Sequence, residues 1–290
     1  MTSFTAKGAL LTGAELIRRR PLLVLLWASV LLAETIAVAV TREEYLGWAQ
    51  ERINPWGSGG AFNGLLLLYT LGATTLALVL TSVLWTSAFR ALMRPAARVP
   101  LSFGLEELSV FATSFIIQVI AGALSASLPV LLVSHFNDLN ARMISPAEAV
   151  IGVIAFFWSA VASAWAFAKL RVAPFRSWAI VRGRFWRLAA LVICVAILQR
   201  LANFAAHQWV LTLYRNPMFA PRHSANPFPS TGDRVEAVFQ APGLLQGATL
   251  AVIGALTIAF VAGIVTCAYR ASLEDPQAAK FPTGSAAATS

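Results

Sequence analysis

Five polar side chains stand inside long apolar stretches of this 290-residue sequence: Glu34, Gln118, Arg200, Asn203 and His207. An ionisable or amide group is costly in such surroundings, so each is a candidate for function. Glu34 follows Pro21 by 13 residues, and Arg200 follows Arg187 by the same number. At a rise of about 1.5 Å per residue, both would lie roughly 20 Å into their helices. The spacing predicts a Glu34–Arg200 ion pair, with Gln118 as a hydrogen-bond partner.

Two interpretations of this polar cluster stay open at the level of sequence. The pair could line a cavity, or it could be a packing clasp that fixes how three helices meet. A protonated Glu34 would need only a hydrogen bond. Asn203 and His207 share a helical face with Arg200 by their spacing, which predicts a polar strip facing an outward pocket. His207 alone is more typical of a hydrogen-bonded packing residue than of a ligand.

No motif in the sequence carries catalytic chemistry. The sequence contains no HExxH, CxxC or GxSxG pattern, and "GSGG" at residues 57–60 lacks the following Lys-Ser and the strand of a phosphate-binding loop. The three histidines, His135, His207 and His223, have no metal-ligand spacing. We therefore predict no enzymatic activity, no cofactor and no metal site.

The elements that must position the polar residues are membrane-spanning helices. The chain is 58% hydrophobic and only 12% charged, against roughly 25% charged for soluble domains. A helix needs about 20 apolar residues to cross a bilayer, and six segments qualify: residues 22–40, 65–85, 108–134, 149–170, 188–213 and 244–269. The predicted fold class is all-α, a six-transmembrane-helix bundle. We expect one integral membrane domain over residues 1–275 and a disordered cytoplasmic tail over residues 276–290.

The basic residues set the predicted orientation. Fifteen Lys and Arg residues fall on the side of the two termini, against six on the other side, so the positive-inside rule puts both termini in the cytoplasm.

The net charge of +9 indicates membrane lipids as partners rather than nucleic acid, since no polar domain interleaves basic and aromatic residues. Seven cations are expected to contact anionic lipid headgroups: Arg18, Arg19, Arg20, Arg176, Arg182, Arg184 and Arg187.

Three apolar runs end in a similar phrase, in which a small residue, an aromatic and a cation precede a proline: "SAFRALMRP", "AFAKLRVAP" and "CAYRASLEDP". All three would end helices that run toward the cytoplasm. They predict three helical hairpins, related either by internal repeat or by convergent interface chemistry.

Amphipathic segments before the first and fifth spans predict interfacial helices, or else extensions of those spans. In the second of these segments, Trp178, Val181, Phe185 and Leu188 form one apolar stripe. Residues 41–63 and 215–242 are predicted to be polar outer loops.

Residues 88–108, "AFRALMRPAARVPLSFGLEEL", resemble a phrase of uncharacterised multi-pass inner-membrane proteins of proteobacteria. In that family, an Arg-Pro at the end of a span precedes a Leu-Arg-Leu-Gly-like stretch and then Glu-Leu. The matching residues here are Arg94, Pro95, Gly104, Glu107 and Leu108, while Ser102-Phe103 stand before the glycine in place of the usual arginine. "SWAIVRGRFWRL", residues 177–188, is similar to the family's phrase ending in Gly-Arg-Phe-Trp-Arg. More loosely, the layout resembles the membrane domain of glycerophosphodiester phosphodiesterases, without the hydrolase domain.

The resemblance implies a multi-pass protein of the bacterial inner membrane and supplies no catalytic residues. With the composition and the missing motifs, it predicts a protein without evident catalytic chemistry that organises or assists a membrane partner or lipid. The alternative is a transporter or lipid-handling protein with a polar intramembrane cavity. The interior of the fold distinguishes the two, because transport needs a polar cavity and a scaffold does not.

Overall fold

A computed structural model describes residues 4–52, 59–94, 101, 103–135, 140–172, 174–181, 183–214, 239 and 241–274. This part of the chain is helical, and no strand occurs within it. A short 3₁₀-helix, Pro174–Ser177, precedes α6. The α-helices are α1 (Ala6–Arg19), α2 (Pro21–Arg52), α3 (Gly59–Met93), α4 (Leu105–His135), α5 (Asn140–Lys169), α6 (Trp178–Val181), α7 (Phe185–Tyr214) and α8 (Ala241–Leu273).

Six of the described helices are long and apolar enough to cross a membrane. Their apolar parts cover Pro21–Arg42, Leu68–Met93, Leu105–Ser125, Val150–Lys169, Phe185–Val210 and Gly243–Leu273. Each coincides with one of the six predicted spans. The prediction of an all-α protein with six transmembrane helices is therefore confirmed, and the chain is a multi-pass membrane protein.

The first predicted outer loop, residues 41–63, is wrong over most of its length. Helix α2 continues to Arg52, and α3 already begins at Gly59. The continuation, TREEYLGWAQER, is too polar for hydrocarbon, but most of its residues are good helix formers. The apolar pattern of a sequence ends where the hydrocarbon of the membrane ends. The backbone hydrogen bonds of a helix can continue beyond that point. The second predicted loop lies almost wholly outside the described residues, as does the predicted tail.

Helix α1 is a helix in its own right rather than an extension of the first span. The Thr5 hydroxyl oxygen accepts a hydrogen bond from the Gly8 N–H at 3.2 Å, which caps the start of α1. Arg20 is non-helical, and Pro21 opens α2. A proline suits the first position of a helix but disfavours helical geometry in the residue before it, so the sequence itself separates α1 from α2.

The amphipathic segment before the fifth span is divided into two parts. Helix α6 ends at Val181, and α7 begins at Phe185. Between them, Gly183 adopts a φ of 75°, in the left-handed region that side chains with a Cβ avoid. The predicted stripe from Trp178 to Leu188 is therefore shared between two helices instead of running along one.

The chain forms two compact units. Unit 1 comprises Met1–Arg19, Trp85–Val195 and Ala259–Ser290, and unit 2 comprises Arg20–Leu84 and Ala196–Ile258.

In unit 1, α1 packs against α8 at a contact between two glycines. A Cβ added to Gly13 would lie 2.8 Å from Phe260 Cα, and one added to Gly263 would lie 2.5 Å from Gly13 N. Ala9 and Leu16 are buried on the same face of α1. Only glycine allows the two backbones to come this close.

In unit 2, α2 packs against α8 beside two further glycines. A Cβ on Gly254 would lie 3.0 Å from Leu31 Cδ1, and one on Gly247 would lie 3.2 Å from Leu32 Cδ1. Helix α3 contacts α2 through Tyr69, whose hydroxyl donates to the Val38 carbonyl at 2.7 Å.

Candidate functional site

The helix ends that the charge pattern assigns to one side of the membrane meet at one end of unit 1. Arg270, in the last turn of α8, donates to the Leu92 carbonyl of α3 at 2.6 Å. Ser109, near the start of α4, donates to the Ala166 carbonyl of α5 at 3.3 Å. We call this region the basic end: the C-terminal ends of α3, α5 and α8, and the N-terminal end of α4.

An ion-pair network lies inside the basic end, and we refer to it as the ionic clasp. Arg90 of α3 places Nη2 2.7 Å from Glu106 Oε2 and 2.6 Å from Glu107 Oε1, both on α4. Arg94 also pairs with Glu106, and its guanidinium lies 5.1 Å from the ring centre of Phe167 on α5. The clasp thus joins three helices, and its two cations balance its two anions.

Local sequence explains why these charges occupy helix ends. Glu106 and Glu107 stand in the first turn of α4, where the helix dipole favours anions, and Arg90 stands in the last turn of α3, where it favours cations. Glu107 also accepts from the Gly104 N–H at 2.9 Å, which satisfies a backbone donor at the start of α4. Three of the residues that carry the family resemblance, Arg94, Gly104 and Glu107, are therefore members of the clasp or hydrogen-bonded to it.

A run of aromatic rings lies beside the start of α7. Trp158 of α5 and Trp178 of α6 have ring centres 5.6 Å apart, and Trp178 lies 5.5 Å from Phe185. Phe185 in turn lies 5.1 Å from Trp186. The run therefore packs α6 and the start of α7 against the middle of the α5 span, Val150–Lys169.

The structure describes five of the seven predicted headgroup-contacting arginines. Arg18, Arg19 and Arg187 are exposed, and Arg19 also pairs with Glu15 at 2.5 Å. Arg184 and Arg20 are half-buried and take part in further interactions. Of the remaining two, Arg182 and the side chain of Arg176 lie outside the described residues. Lys169, the last residue of α5, and Arg171, which follows the helix, are exposed as well.

The predicted Glu34–Arg200 ion pair does not form between these two described side chains. The ion pairs of the described residues join Arg19 with Glu15, and Arg90 and Arg94 with the acids of α4. Glu34 is half-buried and Arg200 is exposed, both in unit 2, whereas Gln118 is half-buried in unit 1. Equal depth along two helices does not turn their side chains toward each other, and this is why the spacing argument fails.

Asn203 and His207 both belong to unit 2, and the polar strip facing an outward pocket stays a prediction. His207 Nδ1 is 3.4 Å from Gln246 Nε2 of α8. The Asn203 side-chain oxygen is buried and has no hydrogen bond among the described atoms. His207 is exposed and hydrogen-bonded, as expected for a packing or interface residue.

Sequence reasoning missed a cluster of hydroxyl groups between α4 and α5. Ser114 Oγ lies 3.1 Å from Ser163 Oγ and accepts a hydrogen bond from Ser159 at 3.1 Å. Ser114 and Ser163 are buried. Serines that bond across helices hold transmembrane segments together, and their recurrence in two neighbouring spans was the signal available in the sequence.

Next to this serine cluster, an apolar cavity of about 230 Å³ lies between α4 and α5. We call it the α4–α5 groove. Its lining is entirely apolar or aromatic and comes from α4, α5 and the 3₁₀-helix: Ile117, Ile120, Ala121, Leu124, Ile151, Ile154, Ala155, Trp158 and Phe175.

Comparison of the chain with protein-family models, with curated proteins and with solved structures gave no match. Fold and site therefore define a class rather than a family, that of multi-pass α-helical membrane proteins. Among the residues that the structure describes, no three His, Cys, Asp or Glu side chains are grouped so that they could hold a metal ion.

Proposed function

We propose that this chain is a multi-pass protein of the bacterial inner membrane, without catalytic chemistry of its own, that organises anionic lipid around its basic end. Both termini then lie in the cytoplasm. The observation that carries the proposal is the set of exposed cations at the end of α5 and the start of α7. The ionic clasp, in contrast, is internally neutral, so its arginines serve the packing of the helices.

Electrostatics gives the proposed contact its strength. A Lys or Arg near an anionic membrane surface contributes about 1 kcal/mol at physiological ionic strength. Lys169 and Arg171 are exposed at the end of α5, and Arg187 is exposed at the start of α7. Three such cations favour anionic over neutral headgroups by about 3 kcal/mol in all, which is enough to enrich anionic lipid near the protein.

The packing of unit 1 favours a scaffold over a transport pathway through that unit. Helix α5 buries small residues on two opposite faces, Ala160 and Ala164 on one and Ala162 and Ala166 on the other. The buried serines between α4 and α5 are hydrogen-bonded to one another. The α4–α5 groove is lined by apolar side chains, which offer no path to an ion or a polar solute.

Lipid analysis of native membrane discs tests the proposal. The full chain would be extracted in its surrounding membrane with a polymer, and the phosphatidylglycerol content of the discs compared with that of the whole membrane. We expect enrichment for the wild type and a severalfold smaller enrichment for Arg171→Gln/Arg187→Gln. The matched control is Arg42→Gln/Arg200→Gln, which removes two exposed arginines of unit 2. Equal enrichment in the two double variants would contradict the proposal.

The orientation has a separate test with reporter fusions. A reporter that is active only in the periplasm should be inactive after Leu170 and active after Asp233. The reverse result would put the basic end outside and would remove the anionic cytoplasmic leaflet as its partner.

A second function, transport or lipid handling through a polar cavity, is favoured by one observation in unit 2. A buried amide oxygen without a hydrogen bond, such as that of Asn203, costs about 1–3 kcal/mol. A transported polar solute would be a partner for it. Under this alternative, Asn203→Leu should abolish the uptake of the transported polar solute by proteoliposomes. Under the scaffold proposal, the same substitution should leave the lipid enrichment unchanged and raise the stability of the protein.

A further inference from the structure

Arg200 is an exposed cation in the middle of a membrane-spanning helix. It lies 15 residues after Phe185 and 10 residues before Val210, which bound the apolar part of α7. At about 1.5 Å per residue, these two ends are roughly 22 Å and 15 Å away. A helical side chain points back toward the N-terminus of its helix, so Arg200 is directed away from the nearer end. A charge at this depth is costly unless an anion contacts it.

Glu34 of α2 is a second charge in the middle of a span in unit 2. It lies 13 residues after Pro21 and 8 residues before Arg42. Glu34 is half-buried, so part of its side chain reaches the surface of the protein. The ion pairs that join described residues include neither Glu34 nor Arg200. Unit 2 therefore presents one acid and one base, each without an ion-pair partner among the described residues of its own copy.

Contacts with α8 fix the depth of Glu34. A Cβ added to Gly254 would lie 3.0 Å from Leu31 Cδ1, and one added to Gly247 would lie 3.9 Å from Thr35 Cγ2. Helix α2 thus runs antiparallel to α8, and Glu34 is level with the part of α8 between these two glycines.

A contact between α7 and α8 places Arg200 at a similar depth. His207 Nδ1 lies 3.4 Å from Gln246 Nε2. Consecutive spans cross a membrane in opposite directions, and Arg200 comes about two helical turns before His207. Arg200 is therefore level with α8 about two turns after Gln246, which is the same part of α8. The depths of Glu34 and Arg200 differ by less than about 10 Å.

The two spans that carry these charges are also the least buried ones that the structure describes. Of the α2 span, 17% is buried inside the protein, and of the α7 span 22%, against 28% to 61% in the other four. Helix α8, which both of them contact, is the most buried. The surfaces of α2 and α7 are therefore available for contact with another molecule in the membrane.

A second copy of this chain accounts for both charges, whereas other occupants account for one at most. A lipid phosphate lies at the membrane surface, away from the middle of the span. A carboxylate on a helix of a different protein would pair with Arg200 but would leave Glu34 as it is. A second copy supplies an acid and a base at matching depth, so its charges complement those of the first.

We infer that two copies of this chain associate in the membrane through unit 2, with Glu34 of each copy paired to Arg200 of the other. A two-fold axis along the membrane normal keeps every residue at its depth and both copies in the same orientation. The same axis makes the contact reciprocal, so two ion pairs form together and all four charges are paired. The interface would shield these charges from the acyl chains.

Association of the purified full chain in liposomes tests the inference. Two pools with different fluorophores at the N-terminus would be mixed in bilayers of phosphatidylethanolamine and phosphatidylglycerol, and energy transfer between them measured as the lipid-to-protein ratio rises. We expect the wild type to form dimers. Glu34→Gln and Arg200→Gln each break both ion pairs of the dimer, so each should weaken association by about tenfold or more. The matched control, Arg42→Gln, removes an exposed arginine at the end of the α2 span and should leave association unchanged.

Charge reversal shows whether the pairs join two copies. Glu34→Arg and Arg200→Glu each place like charges opposite each other in a dimer of identical variants, so neither should dimerise with itself. A mixture of the two variants restores opposite charges at both contacts and should form a mixed dimer. A pair within one copy cannot give this result, because mixing does not change the interior of either variant. The neutral glutamine variants keep the inference testable if a reversed charge prevents insertion.

Three results would overturn the inference. The first is a wild type that stays monomeric at every lipid-to-protein ratio, as expected if lipid or a different protein contacts Arg200 instead. The second is a dimer that persists unchanged in both glutamine variants. The third is the absence of a mixed dimer between the two reversed variants although both are folded. All these variants retain Lys169, Arg171 and Arg187, so the proposed function stands or fails independently of the dimer.

Discussion

Replacing Arg90 by methionine should destabilise the protein more than any other single change in the ionic clasp. The Arg90 side chain is 12% exposed, and that of Glu107 is 2% exposed. Methionine fills much of the volume but removes the guanidinium that lies 2.6 Å from Glu107 and 2.7 Å from Glu106. Glu106 keeps Arg94, whereas Glu107 stays buried and loses its contact with Arg90. Removing one partner of a buried ion pair costs about 3–5 kcal/mol, and we expect a loss in the free energy of unfolding of that size.

Arg94→Met is the matched control, because it makes the same substitution one turn further along the chain. The Arg94 side chain is 51% exposed, and an exposed ion pair contributes only about 0.2–1 kcal/mol. The double variant Arg90→Met/Glu107→Met removes both buried charges and replaces them with apolar side chains. It should be more stable than Arg90→Met alone, since groups in one network couple by about 0.5–3 kcal/mol.

The assay is unfolding of the purified full chain in mixed micelles as the fraction of dodecyl sulfate rises, followed by tryptophan fluorescence. The free energy of unfolding would be compared among the wild type, the three single variants Arg90→Met, Arg94→Met and Glu107→Met, and the double variant Arg90→Met/Glu107→Met. Equal losses in Arg90→Met and Arg94→Met, or losses from Arg90→Met and Glu107→Met that add strictly, would refute the argument that the clasp is a buried and coupled network.

Four further substitutions can be measured in the same unfolding assay. Gly13→Val should cost about 1–3 kcal/mol through overpacking, because a Cβ at this position already meets Phe260 and Ala259. Gly72→Ala, which has no neighbour within 4 Å, should be neutral or stabilise α3 by up to about 1 kcal/mol, and an equal loss in both variants would contradict the close contact of α1 with α8. Gly183→Ala should cost about 1–2 kcal/mol because of its φ of 75°, and an unchanged stability would mean that the turn before α7 relaxes. Ser114→Ala removes two hydrogen bonds between α4 and α5 and should cost about 1 kcal/mol, at roughly 0.6 kcal/mol each. A larger loss would indicate a cavity.

The hydrophobic pattern predicts the spans well, because a membrane requires about 20 apolar residues in each of them. It does not predict where the helices end. Helix α2 extends to Arg52, well beyond the apolar segment that ends at Arg42. Outside hydrocarbon, the end of a helix depends on capping and on residue propensity, which leave weaker signals than hydropathy does.

The candidate site could be predicted only in part. The charge pattern groups the ends of α3, α5 and α8 with the start of α4, and these ends do meet in unit 1. The ionic clasp was missed, although Glu106 and Glu107 in the first turn of α4 follow shortly after Arg90 and Arg94 in sequence. The Glu34–Arg200 pair was predicted from depth alone. An ion pair also depends on the rotation of each helix about its axis, which the spacing from the helix start does not contain.

The contact between Gly13 and Gly263 also has a consequence for how the protein is made. The two glycines are about 250 residues apart in the chain, and ribosomes add roughly 5–20 residues per second. Helix α1 therefore leaves the ribosome some 12–50 s before the part of α8 that it contacts has been synthesised. During this interval its contact face, with Ala9, Gly13 and Leu16, has no partner in α8. Under the proposed function, the exposed Lys7 and Arg18 on the same helix would keep α1 on the anionic surface of the membrane until α8 is inserted. The final packing step of α1 would then be a transfer from lipid to protein.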